Sequence, residues 1–172
     1  RYADYRKDPI ANALGTPSGK IEIYSKTIED FHYDDCPPHP TWIEPVEWLG
    51  SDLTAKFPLH IISPHPNYRL HSQMSNTWLR DDYEVAGREP IWINPGEAKA
   101  RGIADGDVVR VFNDRGALLA GAVVTDRVRP GVVMLQEGAW YDPDKPGEVG
   151  ALCKHGNINV VTLDKGTSKL AQ

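Results

Sequence analysis

The chain has 172 residues, 40% of them hydrophobic and 25% charged, with a formal net charge of −5 and a pI near 5.6. That length suits one domain with an appended arm and is enough to bury a core. The acidic balance offers no footprint for nucleic acid or an anionic membrane surface, and no apolar run approaches the roughly 20 residues that a spanning helix needs.

Fourteen prolines and fifteen glycines interrupt the chain too often for long helices, so short strands joined by turns are predicted. Residues 1–18 are polar and turn-rich and read as a lead-in arm. The chain starts at Arg1, without Met or a leader, and is expected to be a piece of something longer. Gly19–Ser25 alternates apolar and polar residues and predicts a strand. Thr27–Phe31 predicts a single helical turn. Pro37, Pro38, Pro40 and Pro45 deny residues 32–50 a helix interior or a central strand. That segment is expected to wrap the domain in extended form, with Trp42 and Trp48 as apolar anchors. Residues 1–50 are thus an arm and wrapping segment, and 51–172 the domain proper.

Phe57–Ser63 predicts the first core strand, and Thr77–Tyr83 a short helix capped by Asn76. Pro90–Ile93 predicts a second strand. Asn94 to Gly102 carries the clearest helix signal: Asn94 as N-cap, Pro95 at the first helical position, Glu97 closing a capping box, and Gly102 as the left-handed stop. Ile103 is expected to pack back on the core. Asp107–Phe112 and Ala117–Thr125 predict a hairpin about Asn113–Gly116, with Gly116 at positive φ. Gly131–Gln136 and Asn159–Leu163 predict two further strands, separated by a second polar loop from Gly138 through Gly147. Many short strands with one capped helix predict a mainly β fold, a small barrel.

The loop after the first strand concentrates the chemistry. Ser63, His65, Arg69, His71, Ser72 and Gln73 fall within eleven residues. Arg offers a planar fork for phosphate or carboxylate, and Ser, Gln and neutral His both donate and accept. Such a loop suits a heteroaromatic ligand that carries phosphates; the plainer alternative is a polar surface loop with turn prolines. Structural zinc is disfavoured by spacing, since His65 and His71 have five residues between them and Cys153 and His155 one. Cys36 and Cys153 form no CxxC motif, and a disulfide between them is neither required nor excluded. Asp81-Asp82 reads as solvated charge and Arg115 as a solvated turn arginine. Nucleophile-elbow, P-loop and dinucleotide glycine motifs are absent.

Four stretches carry a resemblance. Ser63-Pro-His-Pro-Asn-Tyr-Arg-Leu-His-Ser-Gln73 resembles the opening cofactor loop of the C-terminal domain in the dimethyl sulfoxide reductase family of molybdopterin-dependent oxidoreductases. Ala98–Gly116 with Ala122–Thr125 resembles a signature of the prokaryotic members. Gln136–Pro143 is the third. Cys153–Gln172, containing His155-Gly-Asn-Ile-Asn-Val-Val-Thr-Leu-Asp-Lys-Gly-Thr-Ser168, is narrower and looks like the trimethylamine N-oxide, dimethyl sulfoxide and biotin sulfoxide reductase branch, nearest the trimethylamine N-oxide reductases.

The resemblance implies a six-stranded double-psi β-barrel and bis(molybdopterin guanine dinucleotide) with molybdenum, shared with upstream domains of the same polypeptide. It implies that Ser63, His65, Arg69, His71, Ser72 and Gln73 contact one pterin or its phosphates. Asn157 and Asn159 would meet the other, with His155 nearby. It further implies an N-oxide or S-oxide substrate, an electron donor such as a c-type cytochrome, anaerobic respiration and a periplasmic location, the last becoming cytoplasmic for a biotin sulfoxide reductase. No residue matches the family's metal-ligating serine, so no catalytic residue or metal ligand is expected here, nor turnover by this piece alone. The competing class is a free-standing double-psi barrel that serves as a binding module without molybdenum, since fold alone does not decide function.

Overall fold

A computed structural model describes residues 2–170. Ala171 and Gln172, the end of the last resembling phrase, lie outside the described residues. The chain divides into two compact units: the described residues up to Glu44 together with those from Asp164, and Pro45–Leu163.

The first unit holds two short helices, α1 (Ala3–Lys7) and α2 (Lys26–Glu29). The second bears out the expected turn. Ser25 caps it, its side chain accepting from the Ile28 amide. The strand expected over Gly19–Ser25 does not form. Ile21 and Ile23 are 70% and 74% exposed, so the alternation has no surface to bury against within its unit. Trp42, expected as an anchor, is 73% exposed.

The second unit is built on five strands: β1 (His60–Ile62), β2 (Pro90–Ile93), β3 (Val108–Phe112), β4 (Ala117–Val124) and β5 (Val132–Leu135). They form one sheet in the order β1-β5-β2-β4-β3. β1 runs parallel to β5 and β2 parallel to β4, whereas β2–β5 and β3–β4 are antiparallel. The residue pattern explains the order. β4 (Ala-Leu-Leu-Ala-Gly-Ala-Val-Val) is buried along most of its length and sits inside the sheet. β3 alternates exposed and half-buried residues and forms an edge, as a strand with one solvated face should. Ile91, Ile93, Leu118, Ala120, Val133 and Leu135 meet Cys153, Ile158 and Val161 in the core. Both cysteines are free thiols.

The helix α3 (Pro95–Ala100) starts as expected: Asn94 Oδ1 accepts from the Gly96 amide and Pro95 is at the first position. Gly102 follows at φ +65°, and Ile103 packs on the core. Glu97, however, does not close a capping box. Its carboxylate accepts from the Gly131 amide at 2.9 Å and pairs with Arg101 at 2.5 Å. The β3–β4 hairpin closes as expected through Asn113 N to Gly116 O. Gly116 is not at positive φ; glycine is needed because a Cβ there would lie 2.6 Å from the Val160 carbonyl oxygen. Arg115 is not a solvated turn residue either. It grips Glu47 through two hydrogen bonds of 2.6 and 3.0 Å and donates to the Val161 carbonyl.

Two other expectations shift. Residues 78–82 form a 3-10 turn rather than an Asn76-capped α-helix, and Thr77 stands at its start without a side-chain cap. The strand expected over Asn159–Leu163 is replaced by a 3-10 turn, Ile158–Val160. There the Asn157 side chain accepts from the Asn159 amide at 2.9 Å, and the Val161 carbonyl is taken by Asn113 and Arg115. Side-chain partners thus replace the ladder. Five of the six expected core strands therefore form among the described residues.

Candidate functional site

Parallel pairing of β1 with β5, Ile62 opposite Met134, makes both strands end at the same edge of the sheet. The polar loop after β1 and the loop after β5 therefore leave side by side. Main-chain and side-chain bonds tie them together. Glu137 N donates to Pro64 O at 3.2 Å, and Trp140 Nε1 donates to Ser72 O at 2.6 Å. Tyr68 OH bonds the Gln136 side chain. Gly138, at φ +91°, lies so close beneath the first loop that a Cβ there would fall 2.1 Å from the His71 carbonyl oxygen. His71 itself holds φ +49°, a conformation that costs a non-glycine residue energy and recurs at ligand sites.

Arg69 is the centre of this arrangement, yet its guanidinium is inside the protein, 1% exposed. Nη1 lies 2.9 Å from Glu89 Oε1, on a carboxylate that is fully buried. Nη1 also donates to Tyr83 OH at 2.8 Å, Nη2 to Glu137 O at 2.8 Å, and Nε to His71 O at 3.1 Å. Tyr68 and Tyr83 stack with ring centroids 4.0 Å apart. Burial raises the Glu89 carboxyl above the usual carboxylate range, and the Arg69 cation offsets only part of that. Burial next to the Glu89 charge pushes the Tyr68 phenol up to about 12. Arg69 thus spends its fork on the protein, fixing the backbone of both loops.

Glu137 joins two of the expected residues. Its Oε1 lies 2.7 Å from His65 Nδ1 and its Oε2 3.2 Å from His71 Nδ1. The two imidazoles meet edge to face, centroids 4.9 Å apart. Burial raises the Glu137 carboxyl, and hydrogen bonds from His65 and His71 outweigh that, leaving it net below the usual carboxylate range. Ligand atoms of His65, His71 and Glu137 all lie within 4.8 Å of one another. They form the one cluster of three or more His, Cys, Asp or Glu side chains so placed among the described residues, and loop spacing alone did not foresee it.

A cleft of ≈ 330 Å³ opens beside this pair, lined by His71, Ser72, the stretch from Glu137 to Tyr141, Asn157 and Asn159. The structure therefore brings together four of the nine expected residues from two distant loops, with His65 adjoining through Glu137. Ser63 and Gln73 are exposed on the first loop outside the cleft lining. His155 is buried, 4% exposed, behind it. Burial, then the Arg80 and Arg69 charges, lower its pKa to about 4 against the pull of Asp142, so it is a neutral interior group. Asn157 has its Oδ1 committed to the turn, which leaves its amide NH₂ to the cleft.

Glu89 and Glu137 are the residues that sequence reasoning left without a role. Glu89 has no periodic signal, since it is a single acid before a buried strand. Glu137 had one usable cue, an acid followed by glycine where a buried strand ends.

A family model described as the Molydopterin dinucleotide binding domain matches residues 59–172. The chain belongs to that family. This molybdopterin dinucleotide-binding domain is 63% identical over its whole length to the dimethyl sulfoxide/trimethylamine N-oxide reductase of Cereibacter sphaeroides, covering 21% of that protein. It is 61% identical to trimethylamine-N-oxide reductase 1 of Escherichia coli K12, covering 20% of it. The chain thus spans about a fifth of the length of these curated relatives. Acetylene hydratase from Pelobacter acetylenicus shares the fold, with TM-score 0.68 over 92% of this chain and 22% of that one at 24% identity. Among the described residues no helix is long and apolar enough to cross a membrane.

Proposed function

We propose that this chain is the cofactor-binding part of a molybdenum reductase that removes oxygen from trimethylamine N-oxide or related N- and S-oxides. The observation that carries the reading is the cleft where His71 and Ser72 of one loop face Asn157 and Asn159 of the other. Amides, hydroxyls and imidazoles are the donors and acceptors that a pterin edge needs, and an unpaired polar edge buried there would cost several kcal/mol. Gly138 leaves room for the His71 backbone to lie against the cleft floor. These residues fit the heterocyclic end of the cofactor. The Arg69 fork is already committed, so diphosphate would be met by other groups.

In this reading the cofactor is bis(molybdopterin guanine dinucleotide) with molybdenum, shared with upstream domains of a longer polypeptide, and residues 51–172 make up the six-stranded double-psi barrel that follows the lead-in segment 1–50 in sequence. The molybdenum centre supplies two-electron oxygen-atom transfer when bound. His65, His71 and Ser72 bind and orient one pterin, with Ser63 and Gln73 extending the contact along the first loop, and Asn157 and Asn159 meet the other. Arg69 and Glu89 hold that loop, and neutral His155 fills the interior behind it. The whole protein would work in the periplasm in anaerobic respiration, taking electrons from a partner such as a c-type cytochrome. The 63% and 61% identities to reductases named for these oxides support the substrate class.

The test is composition. Full-length protein from molybdate-fed cells should carry molybdenum and release about two guanine nucleotides per metal atom. It should then oxidise a reduced dye with trimethylamine N-oxide. Protein free of both metal and nucleotide, from cells that load another molybdoenzyme, would refute the reading.

A further inference from the structure

We infer that Glu137 is a positioning residue that sets His65 and His71 in one tautomer, so that the pair presents two Nε2 acceptors to an N–H edge of the heterocycle and not to its phosphates. The inference rests on the cofactor reading above and narrows it to a ligand group.

The geometry starts from one carboxylate and two imidazoles. An ionised carboxylate only accepts, so a ring nitrogen hydrogen-bonded to it must carry the proton. Both Nδ1 atoms face Glu137, at 2.7 and 3.2 Å. A neutral imidazole that donates through Nδ1 has Nε2 as a lone-pair acceptor. The side chains of His65 and His71 are 69% and 62% exposed, whereas Glu137 is 24% exposed beneath them. The acceptor nitrogens are therefore the ones left to a ligand. Carboxylates set the tautomer of metal-bound histidines in the same way.

Glu137 is itself held in place. Arg69 Nη2 binds its carbonyl at 2.8 Å and Pro64 O accepts from its amide at 3.2 Å. Its side chain therefore rises from a fixed backbone. A fixed negative charge under two acceptor nitrogens repels phosphate and attracts N–H. Reduced pterins carry ring N–H and an exocyclic amine, which match it. The Arg69 cation below is buried against the Glu89 carboxylate and does not reverse the sign.

The test uses the full-length protein, purified with its cofactor and labelled with [¹⁵N]histidine. Long-range ¹⁵N–¹H correlation at pH 7 reads each imidazole's tautomer, and the two signals are assigned by their loss in His65→Gln and His71→Gln. Expected in both rings is the proton on Nδ1, facing Glu137, with Nε2 of acceptor type. In Glu137→Gln, whose amide accepts from one ring and donates to the other, one ring should move its proton to Nε2. Guanine nucleotide should then be released on the order of tenfold faster on dilution, the lower end of what losing such an outer partner costs. Glu137→Asp should keep the Nδ1–H pattern. Doubly protonated rings in the wild-type protein, or Glu137→Gln with unchanged tautomers and unchanged nucleotide release, would overturn the inference while leaving cofactor binding standing. Wild-type protein with no nucleotide at all would overturn the cofactor reading, and this inference with it.

Discussion

Replacing Glu89 by Gln keeps the shape of the side chain and removes the one full charge facing Arg69. The guanidinium stays buried, because Tyr83 OH and the carbonyls of His71 and Glu137 still hold it. It then lacks a counter-charge in an interior where both side chains are at most 1% exposed. Breaking a buried pair from one side costs about 3–5 kcal/mol. Arg69→Met should cost a similar amount, since it strands the Glu89 carboxylate and frees two loop carbonyls. The double change Arg69→Met with Glu89→Leu should cost well under the sum, because the desolvation penalty of both charges disappears. The cost should appear locally, in the amides whose bonds depend on the clamp: Gln73 to Leu70 O, Glu137 to Pro64 O, and Glu89 to His155 O. Hydrogen exchange of the full-length protein reads it directly. A loss of 3–5 kcal/mol is a rise of about 10²- to nearly 10⁴-fold in exchange rate at those amides. Equal rates in wild type and both single variants, or a double variant as costly as the sum of the singles, would refute the claim that this ion pair anchors the loops.

His155 has its pKa lowered from 6.5 to about 4, so below pH 6.5 the unfolded chain takes up a proton that the folded one refuses. Stability from this group is full above pH 6.5 and falls by about 3 kcal/mol as the pH drops to 4; His155→Phe should remove that slope from denaturation measured across the range. Gly138→Ala should push the His71 backbone away, because the new Cβ would sit 2.1 Å from its carbonyl oxygen at φ +91°. A cost of about 1–3 kcal/mol should show as roughly tenfold or greater loss of bound nucleotide, with near-normal exchange at core amides such as Leu118. Leu118→Ala, at a fully buried position of strand β4, should cost about 2–5 kcal/mol and speed exchange across the whole sheet, without selective loss at the loops.

The sheet was legible where alternation and turn chemistry agreed. Asn94-Pro95 opened α3, and Asn113 to Gly116 closed the hairpin. It was not legible where a side chain took over a backbone partner. Asn157 bonded the Asn159 amide and Arg115 took the Val161 carbonyl, so an apolar run that reads as a strand became a 3-10 turn. In the first unit, Ile21 and Ile23 keep a strand rhythm with nothing to bury them. The loop chemistry was visible as a list of residue types, but not as roles. Arg69 looked like a phosphate fork because its partner Glu89 is twenty residues away and joins it only when β2 packs beside β5. Glu137 needed the parallel pairing of β1 and β5 before it could meet two histidines from the other strand's loop. Long-range pairing of this kind leaves no local mark on a sequence.

The central claim is that the cleft where the loops after β1 and β5 meet Asn157 and Asn159 is where this chain holds the cofactor. The most direct measurement compares hydrogen exchange in the full-length protein loaded with cofactor and in the same protein from cells unable to make it. The account predicts slower exchange on loading in residues 65–73, 137–141 and 155–159, with little change in the hairpin of β3 and β4 on the sheet's other edge. Unchanged exchange in all three loops, in protein shown to contain molybdenum and guanine nucleotide, would contradict it.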